Sequence, residues 1–201
     1  MKNQKFITLC LVALGLFTSC NLLNTEVTDP EKTLGKPGNY WSVSAPGYGS
    51  GDVEIESNSD GDVVLTFPFN GQNMEVEGRI TDKGIYDYVY SNGDKKKPFP
   101  LVKFDAKVGD KYTFKVGNQT VVREVVHRST EDDTFYGFML IKTIDVEETI
   151  PAGVQVNGEN VGVSKILWRF NHKFGFISAR VTETNNQVTN VDSGYTNATD
   201  N

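Results

Sequence analysis

Apolar and polar residues alternate along most of the chain, in short runs broken by turn dipeptides. From Gly38 onward no stretch of twelve or more residues repeats apolar positions at i, i+3, i+4 and i+7, the spacing of an amphipathic helix. The pattern predicts strands instead. Val53–Ser57 and Val63–Phe69 flank Asn58-Ser59-Asp60-Gly61-Asp62. Asn70-Gly71 then supplies a two-residue hairpin turn into Met74–Ile80. Asp82-Lys83-Gly84 leads into Ile85–Tyr90. After the solvated loop from Asn92 to Pro98 come Leu101–Phe104, Tyr112–Val116, Thr120–Arg128 and Thr134–Val146. Phe135–Ile141 is apolar on both parities, the mark of a strand covered on both faces, and is expected at the centre of the core. Residues 147–162 contain Pro151, Gly153 and Asn157-Gly158 and read as a short hairpin or a long loop. Ile166–Phe170 and Phe176–Val181 form a closing pair. The expectation is an all-β, antiparallel meander of about ten strands, a sandwich or partly open barrel.

The two ends read differently. Lys2 and Lys5 precede an apolar run from Phe6 to Phe17, followed by Thr18, Ser19 and Cys20. This is the charged, apolar, small-residue order of a secretory signal. Its twelve apolar-run residues fall short of the roughly 20 that span a hydrocarbon core. Residues 20–33 are polar, contain Pro30 and read as a tether, so a single domain is expected over 34–184. Beyond Thr184 the polar, aromatic-poor composition predicts a loose tail over 185–201.

Composition narrows the function classes. Twenty basic against 26 acidic residues give a net charge of −6, which excludes the basic footprint of a nucleic-acid binder. The two cysteines are Cys10 and Cys20. Removal of residues 1–19 leaves Cys20 alone, with no thiol for a disulfide or a cysteine-based metal site.

Phe17-Thr18-Ser19-Cys20 resembles the lipobox of bacterial lipoproteins, in which a cysteine behind small residues is acylated and becomes the first residue. Leu34–Trp41 (LGKPGNYW), the mid-chain KVGDKYTFKV and the late LWRFNHKFGFISARV resemble a loose class of secreted lipoproteins of Bacteroidota-type bacteria. That resemblance implies lipidation at Cys20, an outer-membrane anchor and an antiparallel sheet. It implies no activity.

Candidate chemistry is sparse. Gly47-Tyr48-Gly49-Ser50-Gly51 fits neither a dinucleotide loop nor a nucleophile elbow, because Asp52 and Tyr48 stand where glycines are needed. The acidic groups around Asp60 and at Glu131-Asp132-Asp133 miss calcium-loop spacing, with Val63 and Phe69 at positions that require glycine and glutamate. Adjacent Glu147 and Glu148 face opposite sides of a strand and make no glycosidase pair. His127, sharing a strand face with Arg123 and Val125, and His172, in a turn, announce no zinc site. Trp41 and Trp168 are expected in the core. No catalytic residue, metal or cofactor is therefore expected. Tyr86, Tyr88 and Tyr90, three alternate residues of one strand, stand about 6.5–7 Å apart, a spacing at which sugar rings stack. They are the candidate ligand-binding residues, although a water-seeking Asp87 between them would turn them toward the core. The expected function is a non-enzymatic, lipid-anchored envelope module held to the membrane by its lipid. The alternatives are a glycan-handling surface protein, with a glycan or an envelope protein as partner, and a lipocalin-like carrier of an apolar ligand.

Overall fold

The computed structural model describes residues 34–198 apart from 48, 70, 71 and 82. The signal segment, Cys20 and the tether lie outside the described residues, as do Tyr48 and the Asn70-Gly71 turn.

The protein is all-β. Six strands, β1 (Tyr40–Ala45), β2 (Gly49–Ser59), β3 (Asp62–Phe69), β4 (Gln72–Thr81), β5 (Gly84–Asp87) and β6 (Phe99–Lys103), form the first half. The second half holds β7 (Lys111–Val116), β8 (Gln119–Arg128), β9 (Thr134–Tyr136), β10 (Met139–Ile141), β11 (Ile144–Thr149), β12 (Gln155–Val156), β13 (Glu159–Asn160), β14 (Val163–Asn171), β15 (Gly175–Glu183) and β16 (Val188–Thr196). Twelve of them make one antiparallel sheet in the order β6-β5-β4-β3-β2-β1-β16-β15-β14-β11-β8-β7, curled into a partly open barrel. β9–β10 and β12–β13 are separate two-stranded hairpins.

Side-chain alternation builds the interior. Val63, Leu65 and Phe67 of β3, Val121 and Val125 of β8, and Ile166, Trp168 and Phe170 of β14 are buried on one face of their strands. Trp41 joins them and is fully buried. Each such side chain stabilises the fold by roughly 1.5–3 kcal/mol through removal from water. Turn chemistry fixes the registers. Asp60 and Gly61 between β2 and β3, and Asn157 and Gly158 between β12 and β13, all take positive φ, as two-residue hairpin turns require.

Three expectations are corrected. Residues 188–196 are no loose tail: β16 pairs with β1 on one side and β15 on the other. Thr189, Val191 and Ser193 are buried while Asn190 and Asp192 are exposed. Small polar residues thus fill inward positions, and a ladder on both edges supplies the backbone bonds that low hydrophobicity obscures. Residues 134–146 are not one central strand. Gly137, at φ +57°, breaks the run into the β9–β10 hairpin, whose Phe135 is 80% exposed. Finally, β5 stops at Asp87, so the tyrosines do not share one strand.

Candidate functional site

Tyr86 is half-buried, whereas Tyr88 and Tyr90 are buried. Asp87 is fully buried rather than solvated. The buried tyrosines have their hydroxyls committed to carboxylates of the same chain. The Tyr88 hydroxyl donates to Asp62 Oδ1 at 2.5 Å, and the Tyr90 hydroxyl to Glu148 Oε1 at 2.5 Å. Burial first, and then the Asp62 carboxylate, raises the Tyr88 phenol well above its ordinary pKa.

The inner face of the barrel carries a charged cluster centred on Arg123. Register places Arg123 of β8 directly opposite Glu148 of β11. Arg123 Nε donates to Glu148 Oε2 at 3.0 Å, and Trp168 Nε1 donates to the same oxygen at 2.8 Å. With Tyr90 on Oε1, Glu148 accepts three bonds, so both of its oxygens are committed within the barrel. Arg123 Nη2 stands 2.7 Å from Asp87 Oδ2 as an ion pair, without the alignment of a hydrogen bond. The guanidinium also lies 4.0 Å from the Phe99 ring centroid. Desolvation raises the Asp87 carboxyl above its usual range, an effect opposed by Arg123 and reinforced by Glu148.

The cluster has an architectural task. β6 and β7 are the two edges of the sheet, and no ladder joins them. Arg123 Nη1 donates to the carbonyls of Phe99 and Pro100 on β6, at 3.2 and 3.0 Å. Nearby, Arg128 Nη1 donates to the carbonyls of Phe104 and Ala106, at 2.9 and 2.6 Å. Two arginines of β8 thus satisfy carbonyls along and just beyond β6 across the seam.

At the end of the barrel where β8 stops and β11 starts, the β9–β10 hairpin projects. Its base is clamped by Ser129, whose hydroxyl donates to Asp133 Oδ1 at 2.7 Å and accepts from the Thr143 amide at 3.0 Å. His127 Nε2 is 3.4 Å from the same hydroxyl. The trio is not a hydrolytic triad. Asp133 accepts the serine hydroxyl's hydrogen bond directly, whereas a triad needs serine bonded to a histidine that the carboxylate orients. A register shift between Asp145 and Val146 opposite β8 leaves His127 exposed, off the buried face of Arg123 and Val125. His172 stands in the β14–β15 turn, with its pKa lowered by burial and then by Lys142 and Arg128. Among the described residues no group of three His, Cys, Asp or Glu could hold a metal.

One face of the hairpin packs down. Tyr136 and Ile141 meet Phe174 and Ile177, the Tyr136 and Phe174 ring centroids lie 5.3 Å apart, and the Tyr136 and Ser193 hydroxyls are 3.2 Å apart. The other face is bare. Phe135 pairs with Leu140 and both are exposed, the fully exposed Phe138 stands at the tip, and Met139, opposite Tyr136, is exposed beside it. Sequence reasoning missed this surface and the Arg123 cluster. Gly137 inside the apolar run was the available signal for the hairpin.

No family model and no curated protein matches the chain. Among solved structures it is similar to a protein of Bacteroides fragilis described as exported and of YmcC-like fold. The TM-score is 0.46 at 11% identity, covering 80% of this chain and 96% of the other.

Proposed function

We propose that the chain is a lipid-anchored outer-membrane protein acting as a non-enzymatic binding or structural module of the cell envelope. The observation that carries this reading is Cys20, placed directly after a charged and apolar leader and fourteen residues ahead of Leu34, which is already buried in the barrel core. Two or more acyl chains on that residue anchor the protein stably. The barrel supports the non-enzymatic part of the reading. Trp41, Trp168, Arg123, Phe99, Phe170 and Phe176 are fully buried within it, and its charged groups are spent on one another and on the seam. An apolar ligand would have to displace these side chains, which disfavours the carrier alternative. The glycan reading rested on a row of tyrosines, two of which are buried.

Mass spectrometry of the protein extracted from membranes tests the anchor. The expected species begins at Cys20 and carries the added mass of acyl chains. Cys20→Ala should leave the leader uncleaved by the lipoprotein route and the anchor absent. A mature N-terminus elsewhere, without lipid, overturns the reading.

A further inference from the structure

The exposed hairpin and the start of the folded chain lie at the same end of the barrel. Chain residues 38–41 enter there: the Gly38 amide donates to the Ile55 carbonyl at 2.8 Å, and the Tyr40 amide to Asn197 Oδ1 at 2.8 Å. Trp41 Nε1 donates to the Phe174 carbonyl at 3.1 Å, and the Phe174 ring is the platform under Tyr136. Asn171, at the head of the β14–β15 turn, donates from Nδ2 to the Lys142 carbonyl at 2.6 Å, which fixes the hairpin's outgoing leg to the same turn. A continuous chain of contacts thus links the first strand to the inner face of the hairpin. Phe135, Phe138, Met139 and Leu140 remain on the outside.

Resting on the lipid-anchored reading, we infer that this hairpin is a second membrane contact. Its Phe135–Leu140 surface enters the interface of the bilayer that holds the Cys20 lipid and sets the barrel with this end toward the membrane. The fourteen residues from Cys20 to Thr33 span at most about 50 Å, so an anchored domain never leaves the neighbourhood of that surface. The end from which the tether departs is the end held nearest to it. A soluble domain gains nothing from a fully exposed phenylalanine at a hairpin tip, whereas aromatic and aliphatic side chains at such a tip partition into the headgroup boundary. Charge does not select the lipid: Lys142 and Lys173 on the flanks are offset by Glu131 and Asp132 on the incoming leg. The contact is apolar, and neutral lipid should suffice. With acyl chains already supplying affinity, the hairpin supplies orientation.

The test uses the acylated protein purified from membranes, with Phe138→Trp as the probe and Phe135→Trp as a second placement. Native Trp41 and Trp168 are fully buried, so the wild-type protein gives the background. Val188→Trp, exposed at the start of β16 and thus at the opposite end, is the control. Each is reconstituted into net-neutral phosphatidylethanolamine and phosphatidylcholine vesicles with and without brominated acyl chains. Insertion to a depth of roughly 5–10 Å should quench the tryptophan at 138 or 135 about two-fold, with 188 unchanged. Absence of quenching at both hairpin positions, equal quenching at 188, or a blue shift that appears without bromine quenching each overturns the inference; the last would mean that protein covers the tip. The mass of the same sample separates the two readings. Acylated protein without quenching removes the hairpin contact alone, and unacylated protein removes the anchor beneath it.

Discussion

Arg123 and Glu148 face one another across β8 and β11, and the guanidinium that neutralises Glu148 also holds the edge of β6 through two backbone carbonyls. One side chain therefore pairs with buried carboxylates in the core and ties β6 to β8 across the open seam. Its deletion should be costly on both counts. Arg123→Met leaves Glu148 and Asp87 buried without a cation, and a loss of about 3–5 kcal/mol is expected in urea denaturation. Neutralising all three, with Asp87→Asn and Glu148→Gln added, should recover part of that loss, because no uncompensated charge remains. Equal destabilisation of the single and triple variants would show that the seam bonds alone account for the effect.

Asp87 sets a pH dependence. Its folded-state pKa is raised, chiefly by burial, so the native state releases this proton at a higher pH than the unfolded chain, which does so at about pH 4. This contribution favours folding below that pH and is lost as pH rises toward the folded value. The stability of the wild type relative to Asp87→Asn should therefore decline with increasing pH above about 4. Paired denaturation curves across an acidic-to-neutral series would reveal it, and a flat or rising difference would contradict the assignment.

His172 acts in the opposite direction of protonation. Burial and the cations Lys142 and Arg128 depress its pKa, so the unfolded chain takes up a proton first. Its contribution is present above about pH 6.5 and disappears as pH falls through the depressed folded value. His172→Gln should flatten the stability profile in that window, as read from melting temperatures.

Gly84 opens β5, where a Cβ would stand 2.2 Å from the Val102 carbonyl oxygen and 3.0 Å from Lys103 Cα. Both obstacles are backbone and cannot swing aside. Gly84→Ala should force β5 and β6 apart and cost about 1–3 kcal/mol, with faster amide exchange at Ile85 and Val102. A variant as stable as the parent would mean that the edge strands yield more readily than their pairing implies.

The alternation of Val63, Leu65 and Phe67 and the turns at Asp60-Gly61 and Asn157-Gly158 made the antiparallel class legible from sequence, because strand period and positive-φ turns are local properties. The separation of Glu147 from Glu148 was legible for the same reason: Glu147 meets Lys165 at 2.9 Å while Glu148 is buried. Asp87 was not. Its cation lies 36 positions further along the chain, and nothing near Asp87 announces that it will be neutralised inside. β16 was hidden because its inward residues include threonine and serine, so a strand covered on both edges read as polar coil. The Phe135–Ile141 run misled in the other direction, since apolar residues on both parities describe equally a covered strand and a hairpin with one bare face.

The pairing of β1 with β16 joins the first strand of the sheet to the last, while the open seam lies between β6 and β7, which are neighbours in sequence. The six-strand meander that begins with β1 is built from contacts local in sequence, but its β1 edge has no partner until β16 is in place. A chain shortened by its final strand would lose more than nine residues. It would keep two local meanders with an unfilled edge on each, β1 and β15, and would be prone to join other chains in place of its own missing end.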